Sequence, residues 1–524
     1  MELTLNFNLK NKIMKKNVFK TMRWPMAVLT CVVLIGCTDL EIEESDSIID
    51  DSTSASGNFS GVPDIPSALN SLYDGFNVIG DQQWFYALQE ISSDGLLVPT
   101  RGTDWGDNGL WRTLHQHTWD SGHPFILKTW NDWNSFIFSA TSIIDERSNA
   151  NADQVAQASF ARAFATFIIM DNYGQVPFRG PAEGPEIDPM VMNRTEALDF
   201  ILADLDVAIA DLPSVEAMDM DNLNRGTKAS ARFLKAKMLL NAHIYRGEAE
   251  ASAADMQEVI SLVDQIAAEG FALQEGYFDI FKEDADTETI WWLPTGVGNR
   301  IWNGMHYNHN SPDNEGGGWN GFSALSEFYD SFEGASDNNY VGAGQEERRG
   351  WVPDASNAGP DNLGIGYGFL FGQQYDTDGS QLTTRGGAPL VITKDYPGLQ
   401  GNAEDTGIRT IKWHPVNGSF TAHEIQFRYA DAHLMKAEAM MRMGGDPTAL
   451  VNELRVLRQA SPLGTVGEVE MIAERGRELY KEWWRRNDLI RFGQFTKDWE
   501  FKNPESVGDD SKNLFPVPIN ALLS

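Results

Sequence analysis

Cysteine is nearly missing from this chain, with two in 524 residues, Cys31 and Cys37. Cys31 lies in a segment of leader character, so no internal disulfide is expected and stability has to come from burial alone. Long apolar runs are missing too. The most apolar one, Met26–Ile35, is about half the ~20 residues that a bilayer-spanning helix requires. Basic residues are outnumbered, 41 Lys and Arg against 75 Asp and Glu, for a formal charge of −34. Such a field repels nucleic acid, anionic headgroups and polyanionic polymers, and it leaves neutral ligands as the expected class. Motifs of catalysis are absent as well. There is no G-x-S-x-G elbow and no P-loop. His423 and Glu424 begin a zinc-protease pattern, but Phe427 occupies the place of the second histidine. Asp376, Asp378 and Gly379 lack the remainder of a calcium loop. No catalytic residue, cofactor or metal is predicted.

The N-terminus carries a targeting signal. Lys15, Lys16, Lys20 and Arg23 precede the apolar run, which ends in Leu34, Ile35, Gly36 and Cys37. That is a secretory layout closing on a lipoprotein box, with Cys37 as the lipidated first residue of the mature chain. Residues 1–36 are therefore assigned to a signal peptide, with Met14 as an alternative start. Their removal takes six basic residues and one acidic, leaving 35 against 74 and a formal charge of −39. Residues 37–58 hold Glu41, Glu43, Glu44, Asp46, Asp50 and Asp51. With so little apolar content they cannot support a core and are expected to form a flexible acidic tether.

From residue 59 to 524 a single globular domain is expected. In Thr195–Leu212, residues Leu198, Ile201, Leu202, Leu205, Ala208, Ile209 and Leu212 fall on one helical face. Asn193 with Glu196 offers a capping box, and Pro213 stops the helix. Further helices are predicted over 160–173, 227–245, 253–268, 424–443, 449–459 and 466–489. Ala231, Leu234 and Met238, and again Ala432, Met435 and Ala439, place small residues where helices approach closely. The fold class predicted is mainly α, a tetratricopeptide-like scaffold with long irregular loops and minor β structure. The loops are 81–133 and 283–415, rich in Gly, Asn, Asp and tryptophan, and loops of this length are usually functional.

Several stretches stand out in order along the chain. They are Arg162–Ala163 with Asn172–Pro177, Gly226–Lys228 with Ala231, Leu234, Ala236 and Lys237, and Arg428–Asp431 with Leu434, Met435 and Ala437–Ala439. Glu474, Arg475, Glu478, Leu479, Glu482, Trp484, Asp488, Leu489 and Arg491–Gly493 follow, and Phe515–Ile519 closes the series. Together and in this order they resemble the SusD/RagB family of outer-membrane nutrient-binding lipoproteins. The resemblance implies a lipid-anchored protein on the cell-surface side of the outer membrane. Its helical half would dock on a SusC-like TonB-dependent transporter, and its loops would capture a glycan. On helical spacing, Arg475, Glu478, Glu482, Arg485 and Asp488 are read as ion pairs along a solvated face.

A sugar ring has a C–H face and a hydroxyl rim, so its binder needs exposed aromatic planes beside amides and carboxylates. The adjacent Trp291 and Trp292 are expected to form the main platform, with Trp302, Asn303, Asp313, Trp319 and Asn320 nearby. On a regular strand one of the pair would be buried, so their joint exposure requires a bulge. Trp105, beside Asp104, and Trp84 are secondary candidates. A neutral β-glucan such as laminarin is the expected cargo. A surface glycoside hydrolase, a peptide-binding lipoprotein and a purely structural lipoprotein are the alternatives.

Overall fold

The computed structural model describes residues 59–184, 186–294, 298–310, 317–417 and 423–523. Cys37, the 37–58 stretch and Asp313 lie outside them. The described residues belong to one compact unit.

The helices pack in chain order. Pro124–Ile144 lies against Ala152–Tyr173, which lies against Arg194–Asp211, then Lys228–Arg246, Ala253–Ala267 and Tyr429–Arg442 in series. Tyr429–Arg442 in turn packs on Thr448–Leu457 and Glu468–Leu479. This is the tetratricopeptide-like scaffold. Ala231, Leu234, Met238, Ala432, Met435 and Ala439 are all fully buried, and the short side chains of the three alanines let helix axes approach. None of the helices is long and apolar enough to cross a membrane among the described residues.

Local signals set most helix ends. The Asn193 side chain accepts from the Thr195 and Glu196 amides while Glu196 reaches back to the Asn193 amide, a complete capping box. Asn193→Ala is expected to cost about 1 kcal/mol, read as a lower urea midpoint with an unchanged slope. Ala152–Tyr173 begins with its own box at Asn151 and ends at Gly174. Gly174 has φ 73°, a left-handed turn that glycine adopts without strain.

Four expectations need correction. Residues 81–133 are not one irregular loop, since the helices Trp84–Glu90, Leu110–His115 and Pro124–Ile144 run through them, with Trp130 and Trp133 facing the core. The 424–443 helix begins only at Tyr429, because Glu424–Arg428 is a strand paired with Thr289–Leu293. The 466–489 helix is broken after Leu479 and resumes at Arg485. The charges of that segment are buried rather than solvated, and they pair mostly with other elements: Arg475 with Asp431, Glu478 with Arg428 and Arg458, Arg485 with Asp94.

The loop-rich half is organised on a five-stranded antiparallel sheet. Leu96–Leu97, Ser323–Ala324, Arg409–Ile411, Tyr367–Leu370 and Gly350–Trp351 lie side by side in that order. Residues distant in the chain meet there, and the loops leaving these strands carry the site.

Candidate functional site

Three loops are stapled together by two buried arginines. Arg101 donates to the carbonyls of Asn320 (2.9 Å), Ala403 (2.8 Å) and Thr406 (2.6 Å) and to the Ser323 hydroxyl (2.8 Å). Arg409 donates through Nε to the Asn320 side-chain oxygen at 2.7 Å and also reaches the Glu404 carbonyl. Burial lowers the Arg101 guanidinium to about 10, so it stays charged at neutral pH. Spending two cations on backbone carbonyls costs desolvation, which the many hydrogen bonds offset. The result is a rigid frame for the residues above it.

On that frame sit Trp105, Tyr307 and Trp319, all half-buried. Trp105 donates from its indole N–H to the Trp319 carbonyl at 2.8 Å. Its ring lies so close to Gly321 that a Cβ there would fall 2.4 Å from it, so only glycine admits this ring position. Tyr307 donates its hydroxyl to Asp104 at 2.5 Å, and the Arg385 guanidinium lies 3.7 Å from the centre of its ring. Arg385 is held by Glu404 at 2.7 Å and Asp104 at 3.2 Å, and Glu404 also meets His306 at 3.2 Å. Burial, with Asp104 next, raises the Tyr307 phenol to about 12. Burial, then the neighbouring His309 and arginines, lowers His306 to about 2. Both groups therefore stay neutral and act as fixed hydrogen-bonding partners. Arg385, Asp104 and Glu404 are 51%, 36% and 20% exposed, and Asn308 is exposed beside them. Aromatic surface, a guanidinium, two carboxylates and an amide thus converge on one solvent-facing patch. This donor and acceptor set suits a polyhydroxylated ring.

The expected platform pair is not part of it. Trp291 is fully buried among Phe76, Phe160, Phe164 and Phe427, because strand alternation turns it into the core. Trp292 points the other way, but its indole N–H is taken by the Met220 carbonyl at 2.9 Å and its ring meets His423 edge-on. Trp292→Ala is expected to leave glycan affinity within twofold of the parent in titration calorimetry. Asn303 and Asn320 are also fully buried. Asn320 supports the site, bridging Arg409 and the Glu404 carbonyl (3.0 Å). Half-buried Trp302 accepts the Trp319 amide on its carbonyl at 2.7 Å. Trp84 packs on Phe125, at the far end of an aromatic row running through Trp111 to Trp105. Of the tryptophans expected, Trp105 and Trp319 are brought together, and Tyr307, Arg385 and Glu404 are added to them. Among the described residues no cluster of His, Cys, Asp or Glu is placed to hold a metal ion.

Comparison with known proteins gives a consistent result. Residues 287–516 match the SusD family. The chain is 26% identical over 417 residues to the starch-binding protein SusD of Bacteroides thetaiotaomicron, covering 70% of each. A SusD-like protein from Bacteroides fragilis superposes with a TM-score of 0.66 at 19% identity, covering 91% of this chain and 97% of that one. Surface glycan-binding protein A from Bacteroides thetaiotaomicron, solved in complex with laminarihexaose, superposes at 0.61 with 18% identity, covering 87% and 96%.

Proposed function

We propose, from the match of residues 287–516 to the SusD family and the similarity to a starch-binding SusD, that this chain is a cell-surface glycan-binding lipoprotein of that family that holds its ligand on the Trp105, Tyr307 and Trp319 patch. The observation that carries the reading is the patch itself: half-buried aromatic rings locked by hydrogen bonds, with Asp104, Arg385 and Glu404 fixed beside them. Pre-organised groups of this kind bind without paying to order themselves. In this reading Cys37 carries the lipid, the protein sits on the outer membrane, and a SusC-like TonB-dependent transporter receives the glycan. The function is capture rather than hydrolysis.

The cargo proposed is a neutral β-glucan such as laminarin. A formal charge of −34 disfavours uronate and sulfated polymers, and a structural relative was solved with laminarihexaose. Starch is the competing cargo, from the name of a sequence relative. Titration calorimetry against laminarin, starch and alginate tests the reading. Binding to a neutral glucan with none to alginate is expected. Silence against all neutral glycans, or release of reducing ends during incubation, would overturn it.

A further inference from the structure

A second cleft, of about 560 Å³, opens at the Gly350–Trp351 edge of the sheet. That volume falls within the roughly 300–1,000 Å³ of small-ligand sites. Its aromatic wall is built by strand pairing. Trp351 and Tyr367 are direct cross-strand partners at the sheet edge, with ring centres 5.7 Å apart and planes at 40°. Phe278 adds a third ring 5.5 Å from Tyr367. The buried His414 stacks on Tyr367 at 4.2 Å and fixes it.

This cleft and the first site draw on different parts of the sheet. The cleft lies at the Gly350–Trp351 edge, and none of its lining residues belongs to the Trp105, Tyr307 and Trp319 patch.

The polar lining is rich in acceptors. Asp279 and Glu347 line the wall; the Tyr277 backbone N–H donates to the Glu347 carboxyl, whose Oε2 is buried with no hydrogen-bond partner. The turn that carries Glu347 is pinned by its amide, which donates to the Arg458 carbonyl at 3.0 Å. Burial also raises the Glu347 carboxyl. Lys282 is already committed to Asp279. An acceptor left unpaired beside aromatic rings suits a ligand that brings hydroxyl donors and an apolar face, whereas anionic ligands meet two carboxylates.

We infer that the Trp351, Tyr367 and Phe278 cleft is a second saccharide site, which takes a short neutral oligosaccharide with its ring face on Trp351 and a hydroxyl on Glu347. The inference rests on the glycan-binding reading but not on the first site. The test is titration calorimetry of the full mature chain with laminarihexaose and, separately, maltohexaose. Wild type is expected to bind two molecules of one of them, and Trp351→Ala to bind one. Val341 is an exposed rim residue, at 50% exposure, so Val341→Arg should block the cleft without opening the core and give the same loss of one molecule. The Trp105→Ala/Tyr307→Ala variant should retain the binding event of the cleft, and adding Val341→Arg should remove it. A wild-type stoichiometry of one that neither Trp351→Ala nor Val341→Arg changes would overturn the second site while leaving the first intact. Full binding by the Trp105→Ala/Tyr307→Ala variant would instead overturn the first. Silence of the wild type against both hexasaccharides would overturn both.

Discussion

Tyr307→Ala is expected to weaken hexasaccharide binding ten- to a hundredfold, about 1.4–3 kcal/mol, in a protein that still folds. The ring contributes in two ways. Its half-buried plane offers stacking surface, and it holds Arg385 at 3.7 Å while its hydroxyl holds Asp104 at 2.5 Å. Deleting it removes the plane and releases both polar groups, so the ligand then has to order them. Tyr307→Phe keeps the plane and loses one hydrogen bond, worth about 1 kcal/mol or fivefold. Trp105→Ala should resemble Tyr307→Ala, since it also cuts the tie to the Trp319 loop. Calorimetry with near-ultraviolet circular dichroism as the folding check separates these outcomes. Parent-like affinity in both Tyr307→Ala and Trp105→Ala would remove the patch from the binding reading. With Tyr307 at about 12 and His306 at about 2, neither group changes charge at neutral pH, and neither should bring a pH step to the affinity there.

How far this site could be seen in advance follows from distance along the chain. Helix Arg194–Asp211 was legible because its capping box and apolar face lie within the segment itself. The strand Glu424–Arg428 was not, because its partner Thr289–Leu293 is remote and its single alternation of Ile425 with Phe427 is too short to stand apart from the helical run that follows at Tyr429. The break after Leu479 is likewise imposed from outside. Lys481 and Trp483 adopt φ of 62° and 61°, and they are held there by the Thr410 carbonyl (2.8 Å) and the Glu90 carboxylate (2.7 Å). Trp105 and Trp319 stood out as aromatics in glycine-rich loops. Tyr307, Arg385 and Glu404 had no such signal, since what joins them to Asp104 is tertiary contact between loops. Trp291 and Trp292 mark the limit of reading composition. Alternation required one of the two to be buried, and the other spends its polar edge on the Met220 carbonyl.

The scaffold should fail at its buried charges. Glu478, fully buried, pairs with Arg428 at 2.8 Å, Arg458 at 3.0 Å and Arg348 at 3.3 Å. Those arginines continue to Glu288 and Glu474. Glu478→Leu leaves three buried guanidiniums short of countercharge, which is expected to cost about 3–5 kcal/mol. An exposed pair such as Lys128 with Asp132 would cost under about 1 kcal/mol. Domains of ordinary stability hold only about 5–15 kcal/mol, so the variant should show a large fall in urea midpoint at neutral pH. A midpoint within error of the parent would mean that the network adds nothing to stability. The same network sets the response to acid. Burial by itself would raise Glu438 and Glu474, but the arginines around each outweigh it, Arg491 foremost at Glu438 and Arg348 at Glu474, and bring both to about 2. An unfolded glutamate titrates near 4.3, so between about 4.3 and 2 the unfolded chain binds more protons than the folded one. The contribution of both residues is therefore complete above that window and is lost as pH falls through it. The urea midpoint should fall steeply across the window, and Glu438→Gln should flatten the fall because one titrating group is gone. An equally steep fall in Glu438→Gln would show that the acid limb is set by other carboxylates.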